Sequence, residues 1–255
     1  MKLIDSHCHL VDEKLVGDVE GIIERAKSAG VERIITMGGG RKDWPRLIEM
    51  ADKYPDVYIA LGWHPEDITK EEDLGDLAEL IPKTKKCMAI GEVGLDFYYD
   101  KEKKTKDLQL VMMRKQIELA IELNKPLVIH SRWAEEEMEE LMDEYGTRFK
   151  AQFHCFGESE KFLTRVLNDG HMVSFGGNIT FKSAGNLREM IKTVPSNKLM
   201  LETDAPYLSP EPVRGRLNEP ANLIHTAQFI AKELKIEVEE LAKITYNNTV
   251  CFFLL

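Results

Sequence analysis

Lys2-Leu3-Ile4-Asp5-Ser6-His7-Cys8-His9 opens the chain with a short apolar run that closes on two histidines at alternate positions. Side chains along a strand alternate between its faces, so His7 and His9 point the same way and their imidazoles can share one ion. Four later segments repeat the arrangement. Glu92 follows Met88-Ala89-Ile90-Gly91, His130 follows Leu127-Val128-Ile129, His154 follows Ala151-Gln152-Phe153, and Glu202-Thr203-Asp204 follows Lys198-Leu199-Met200-Leu201. Each places a metal-ligand type directly after a β-type run. Histidine nitrogens with a few carboxylates suit zinc, manganese, nickel or iron.

β-type runs fall near 2–6, 33–37, 57–62, 87–91, 127–130, 150–153, 172–175 and 198–202. Amphipathic stretches separate them: 16–29, 43–53, 72–81, 106–123, 134–145, 159–167 and 184–192. Within 106–123, Leu108, Val111, Met112, Ile117 and Ala120 recur at helical spacing. Two further helices are expected near 220–234 and 238–247. Eight such alternations describe a closed parallel barrel or a doubly wound open sheet. The ligand positions decide between them. In a barrel the C-terminal strand ends converge on one mouth, whereas an open sheet would spread them along an edge too long for one metal centre. The expected fold is therefore α/β: a (β/α)8 TIM-like barrel with one or two extra C-terminal helices, as one domain over 1–255.

The chain has 255 residues, 43% of them hydrophobic and 31% charged, which is enough apolar surface for a large core. No apolar run is long enough to span a bilayer. Because the N-terminus leads straight into a ligand-bearing strand, a cleaved signal peptide is not expected, and the reading predicts a cytoplasmic protein without a membrane partner, monomeric or weakly oligomeric. A net charge of −10 argues against a broad non-specific nucleic-acid surface while leaving room for a local cationic mouth. Four cysteines show neither CxxC pairing nor disulfide spacing. Cys8 and Cys155 each adjoin a ligand histidine, and strand alternation predicts both as buried reduced thiols facing the strand–helix interface. Glutamine is scarce (109, 116, 152 and 228), a weak thermophile-like signature.

The segments Asp5-Ser6-His7-Cys8-His9, Gly62-Trp63-His64-Pro65, Gly91-Glu92-Val93-Gly94-Leu95-Asp96, His130-Ser131-Arg132, His154-Cys155-Phe156, Glu202-Thr203-Asp204-Ala205-Pro206-Tyr207-Leu208 and Asn218-Glu219-Pro220 occur in the order found in the TatD family. The chain resembles that family of metal-dependent deoxyribonucleases from its first strand to its last helix. The resemblance implies two divalent ions (Zn, Mn, Mg, Ni or Fe). His7, His9 and Asp204 would hold the first, His130 and His154 the second, and Glu92 would bridge them. It implies a two-metal 3′–5′ exonuclease acting on single-stranded or frayed DNA, with Asp204 as catalytic base. His64 would contact substrate. Arg132 is read as a phosphate contact from the fit of a guanidinium fork to phosphate oxygens. Arg214, Arg216 and Asn218-Glu219 resemble the substrate-side segment, but Leu217 stands where the family has a further basic residue. Glu202 is expected to orient a ligand histidine. His171 and His225 are expected to be structural. Tyr98 and Tyr99 are open between base stacking and core packing. Competing readings are an amidohydrolase or an aminoacyl-tRNA ester hydrolase on the same metals, and a non-catalytic nucleic-acid-binding scaffold. Glu92 stands where cyclic-amide hydrolases commonly carry a carboxylated lysine, which favours the nuclease.

Overall fold

Val/Ile/Leu-rich runs alternate with amphipathic stretches, and in the computed structural model, which describes Met1–Leu255, each becomes the expected element. The strands are β1 (Leu3–Cys8), β2 (Val31–Thr36), β3 (Val57–Leu61), β4 (Cys87–Asp96), β5 (Leu127–Arg132), β6 (Ala151–Phe153), β7 (Met172–Phe175) and β8 (Leu199–Leu201). They lie side by side in chain order, every ladder parallel. The helices are α1 (Val19–Ser28), α2 (Trp44–Lys53), α3 (Gly75–Lys83), α4 (Lys106–Glu122), α5 (Glu135–Tyr145), α6 (Glu160–Asn168), α7 (Gly185–Ile191), α8 (Leu223–Leu234) and α9 (Val238–Phe253). Local chemistry sets their limits. In α6, Ser159 Oγ accepts from Phe162 N–H, while Phe162, Leu163 and Val166 form the buried stripe. The last strand meets the first through His9 N–H to the Ala205 carbonyl at 2.7 Å and Asp204 N–H to the His7 carbonyl at 3.0 Å. The Asp5 carboxylate adds bonds from the Thr203 N–H and hydroxyl.

Alternation along the strands divides the core in two. Ile34, Ile59, Leu61, Leu127, Ile129, Leu199 and Leu201 pack outward against the helices. Their neighbours Ile35, Ala60, Ala89, Val128 and Met200 form a separate cluster inside the barrel, joined by Phe253 from the end of α9. Two residues further along the same inward faces stand His130 after Val128 and Glu202 after Met200. Period-two geometry thus changes the interior from apolar to polar towards the mouth.

β1 and β5 end two residues past their expected limits, and β4 and α9 run further still. β4 continues to Asp96 rather than ending before Glu92, because Val93 and Leu95 carry the buried face onward while Glu92, Gly94 and Asp96 occupy the other. A register shift against β5 between Ile90 and Val93 accompanies Glu92. α9 extends past Asn247 because Thr249 and Phe253 continue its buried face. No helix is long and apolar enough to cross a membrane.

Candidate metal centre

Glu92 is almost fully buried, and its two carboxylate oxygens serve different groups of donors. Oε2 lies 3.3 Å from His7 Nε2 and 3.4 Å from His9 Nε2, and these two nitrogens are 3.1 Å apart. Asp204 Oδ1 completes that group at 3.4 Å from His9 Nε2 and 3.8 Å from His7 Nε2. Oε1 lies 2.8 Å from His154 Nε2 and 3.1 Å from His130 Nδ1, with 3.3 Å between the two nitrogens. His64 Nε2 stands 3.4 Å from the same oxygen. Donors placed 2.0–2.2 Å from a tetrahedral ion would be about 3.3–3.6 Å apart, so the spacings fit divalent-metal ligation. Oε2 is buried without a hydrogen-bond donor, a state that a cation would relieve.

The electrostatics favour positive charge at this point. Burial would raise the Glu92 carboxyl, but His154, His64 and His7 outweigh it and hold the group well below the usual carboxylate range. Burial likewise opposes protonation of His130, yet its bonds to Asp96 and Glu92 lift it to about 9. His154 is also raised well above the ordinary value, because Glu92 and Glu202 overcome its burial. At His7 burial wins, reinforced by His154, and the ring is pushed down. Histidines and carboxylates turned inward together suit one or two divalent ions.

Outer contacts fix which ring nitrogen faces inward. His130 Nε2–H donates to Asp96 Oδ2 at 2.8 Å, leaving Nδ1 towards Glu92. His154 Nδ1 lies 3.4 Å from Glu202 Oε1, leaving Nε2 inward. Glu202 is itself held by Ser174 Oγ–H and Gln152, so its expected orienting role agrees with its place. Asp96 received no role in the sequence reading. Its signal was present in the period of two shared with Glu92 and Gly94, hidden by ending the strand too early. Three of the four glutamines, Gln109, Gln116 and Gln152, are used around this site. Gln116 brackets both backbone groups of Trp63, next to His64, and Gln109 brackets those of Asp96.

The cluster forms the floor of a cleft of about 1120 Å³. His64 and Arg132 line it, with Tyr98, Tyr99 and Trp133; Arg216 does not, and sits exposed on the loop after β8. Asn218, expected on the substrate side, is buried and donates to the Thr203 and Tyr207 carbonyls, pinning that loop. Glu219 pairs with Arg25 of α1. Cys8 is buried as expected. Cys155 corrects the expectation: β6 ends at Phe153, Cys155 takes a left-handed φ of 44°, and the half-buried residue lines the cleft. Alternation fails there because the residue has left the strand. His171 is buried away from the centre, its Nδ1 accepting from Ala151 N–H.

The family described as TatD related DNase matches residues 4–254. The chain belongs to the TatD family. It is 40% identical over 254 residues to the uncharacterized metal-dependent hydrolase YabD of Bacillus subtilis, covering 98% of each chain. It is 33% identical to the uncharacterized metal-dependent hydrolase YcfH of Escherichia coli strain K12, covering 99% of this chain and 96% of that one. Among solved structures it is similar to the TatD homolog YJJV of Escherichia coli K12, with a TM-score of 0.93 and 29% identity over 99% of this chain and 98% of that one. A TatD family hydrolase from Entamoeba histolytica gives 0.88 and 25%, again over 99% and 98%. This TatD-family chain is thus a metal-dependent hydrolase on an eight-stranded parallel (β/α) barrel.

Proposed function

We propose that the protein hydrolyses phosphodiester bonds of DNA, working from a single-stranded or frayed end. Supporting this reading is a buried Glu92 that presents one oxygen to each of two donor groups at the floor of a cleft whose wall carries Arg132. In this reading His7, His9 and Asp204 would hold one divalent cation, His130 and His154 would hold a second, and Glu92 would serve both. Cations bound there would withdraw charge from the phosphoryl oxygens and acidify a water.

The chain's own groups do the rest. Asp204 stays ionised: burial would raise its carboxyl, but the His9 bond and the His7 and His154 charges hold it below the usual range. It is the proton acceptor for the attacking water. Arg132 offers a planar fork to non-bridging phosphate oxygens. His64, on the cleft wall with Nε2 3.4 Å from Glu92 Oε1, is a further substrate contact beside the donors. A mouth at the C-terminal end of a barrel, ringed by βα loops, admits a strand end more readily than a duplex, which supports attack from a terminus.

The test is product analysis on single-stranded DNA labelled at either end, across Mg²⁺, Mn²⁺ and Zn²⁺. Mononucleotides released progressively from the 3′ end are expected. Absence of cleavage with every metal, alongside turnover of an aminoacyl ester or cyclic amide, would overturn the nuclease reading in favour of the other hydrolases.

A further inference from the structure

Beyond the metal cluster, the cleft carries an aromatic lip that the hydrolytic centre does not use. Trp133 is 52% exposed and Tyr99 78% exposed, although both are large and apolar-faced. Tyr98 stands between them, its ring centroid 4.9 Å from that of Trp133 and 4.8 Å from that of Tyr99. The Arg132 guanidinium lies 3.7 Å above the Tyr98 ring, and Lys101 Nζ lies 5.7 Å from the Trp133 centroid. We propose that Trp133 and Tyr99 form a stacking subsite for a nucleobase adjacent to the scissile phosphate, deepening the phosphodiesterase reading on which it rests.

Three observations carry this. First, Trp133 occupies a left-handed backbone conformation with φ 57°. A bulky side chain is disfavoured there, and such strain collects at ligand-binding positions. Second, the turn is braced and not loose. Ser131 Oγ–H donates to Glu158 Oε1 at 3.0 Å, with the backbone amides of Trp133 and Ala134 also turned to that carboxylate. Third, the lip is continuous with the metal centre. His130 bonds Asp96, Asp96 lies 3.8 Å from Arg132 Nη1, and Arg132 covers Tyr98. Trp133 follows His130 by three residues, at most about 11 Å along the chain, within reach of a nucleotide whose phosphate lies over the donors. Aromatic faces with interleaved cations bind bases of any identity, because every base has a π-face. Preference for a particular base is therefore not expected.

The experiment uses tryptophan fluorescence. Trp44 and Trp63 are 2% and 9% exposed, so quenching by solute reports mainly Trp133. With Mg²⁺ present, a phosphorothioate-linked DNA octamer, which resists cleavage, is titrated against an abasic octamer of equal length. The base-bearing octamer should quench and bind more tightly. By anisotropy of labelled octamers, Trp133→Ala and Tyr99→Ala should weaken its binding roughly 5- to 100-fold and remove its advantage over the abasic strand. Trp133→Phe, which keeps an aromatic face, should restore most of the affinity and control for folding. On cleavable DNA the alanine variants should raise KM far more than they lower kcat. Equal binding of the two octamers by the wild type would overturn the subsite, as would cleavage kinetics in the variants equal to wild type. Base-dependent quenching without turnover would leave the subsite standing while the phosphodiesterase reading falls.

Discussion

Among individual residues, Asp204 and Asp96 separate two ways in which a carboxylate can serve the same centre. Asp204 Oδ1 faces His9 and His7 directly. An amide oxygen can still coordinate a cation but cannot accept the proton of an attacking water. Asp204→Asn should therefore keep the fold and much of the bound metal while lowering the rate by roughly 10²–10⁴. Near-normal turnover at full metal content would remove it as the base. Asp96 acts one bond further out, on His130 Nε2. If His130 and His154 hold the second cation as proposed, Asp96→Asn should weaken its binding by roughly 10–100-fold and spare the cation proposed at His7 and His9. Calorimetric metal titration should then resolve one tight and one weakened site. Equal loss at both would mean that Asp96 supports β4 rather than the histidine. Asp204 was legible because it follows an apolar run beside Glu202. Asp96 was not, because no sequence pattern shows which imidazole another strand will present to it.

At the level of elements, strand ends and helix ends carry the design. The long β4 brings Glu92, Gly94 and Asp96 along one face. Gly94 has φ 148°, and a Cβ there would collide with the His130 backbone carbonyl, so only glycine lets β4 and β5 approach closely enough for Glu92 and His130 to meet. At the far end of the molecule α9 delivers Phe253 into the barrel interior, against the cluster that contains Ile35, Ala89 and Val128. Phe253→Ala should cost about 3–5 kcal/mol of stability through lost burial and the remaining cavity. Chemical denaturation would check it. Because Phe253 packs with the apolar layer and not with the donors, rate per folded molecule should hold. A small shift in midpoint would mean that the barrel floor collapses to fill the gap. The helix was foreseen and its plug was not, since helical periodicity continues to Phe253 without indicating what the last turn will meet.

Across the whole molecule, burial couples stability to pH far from the site. His171 is 1% exposed, stacked on Phe149 and away from the metal donors. Burial, only partly offset by Asp169, lowers its pKa from 6.5 to about 4. The folded ring stays neutral while the unfolded one takes up a proton, so this contribution is complete above about pH 6.5 and is lost as pH falls towards 4. The slope approaches about 1.4 kcal/mol per pH unit between those values. His171→Asn should flatten that part of the stability–pH curve, measured by denaturation at fixed ionic strength, and an unchanged curve would place the acid sensitivity in other groups. The sequence by itself determined the alternation of strands and helices and the barrel, and it marked His7, His9, Glu92, His130, His154, Glu202 and Asp204 as candidate donors, because local periodicity and residue chemistry are properties of short segments. Tertiary structure alone decided that Glu92 would divide its oxygens between two groups, that Asp96 would turn His130, that Cys155 would leave its strand for the cleft, and that Trp133 would stand exposed beside Arg132. Those outcomes depend on distances between strands remote in sequence and on where each strand stops, and both are set by closure of the barrel.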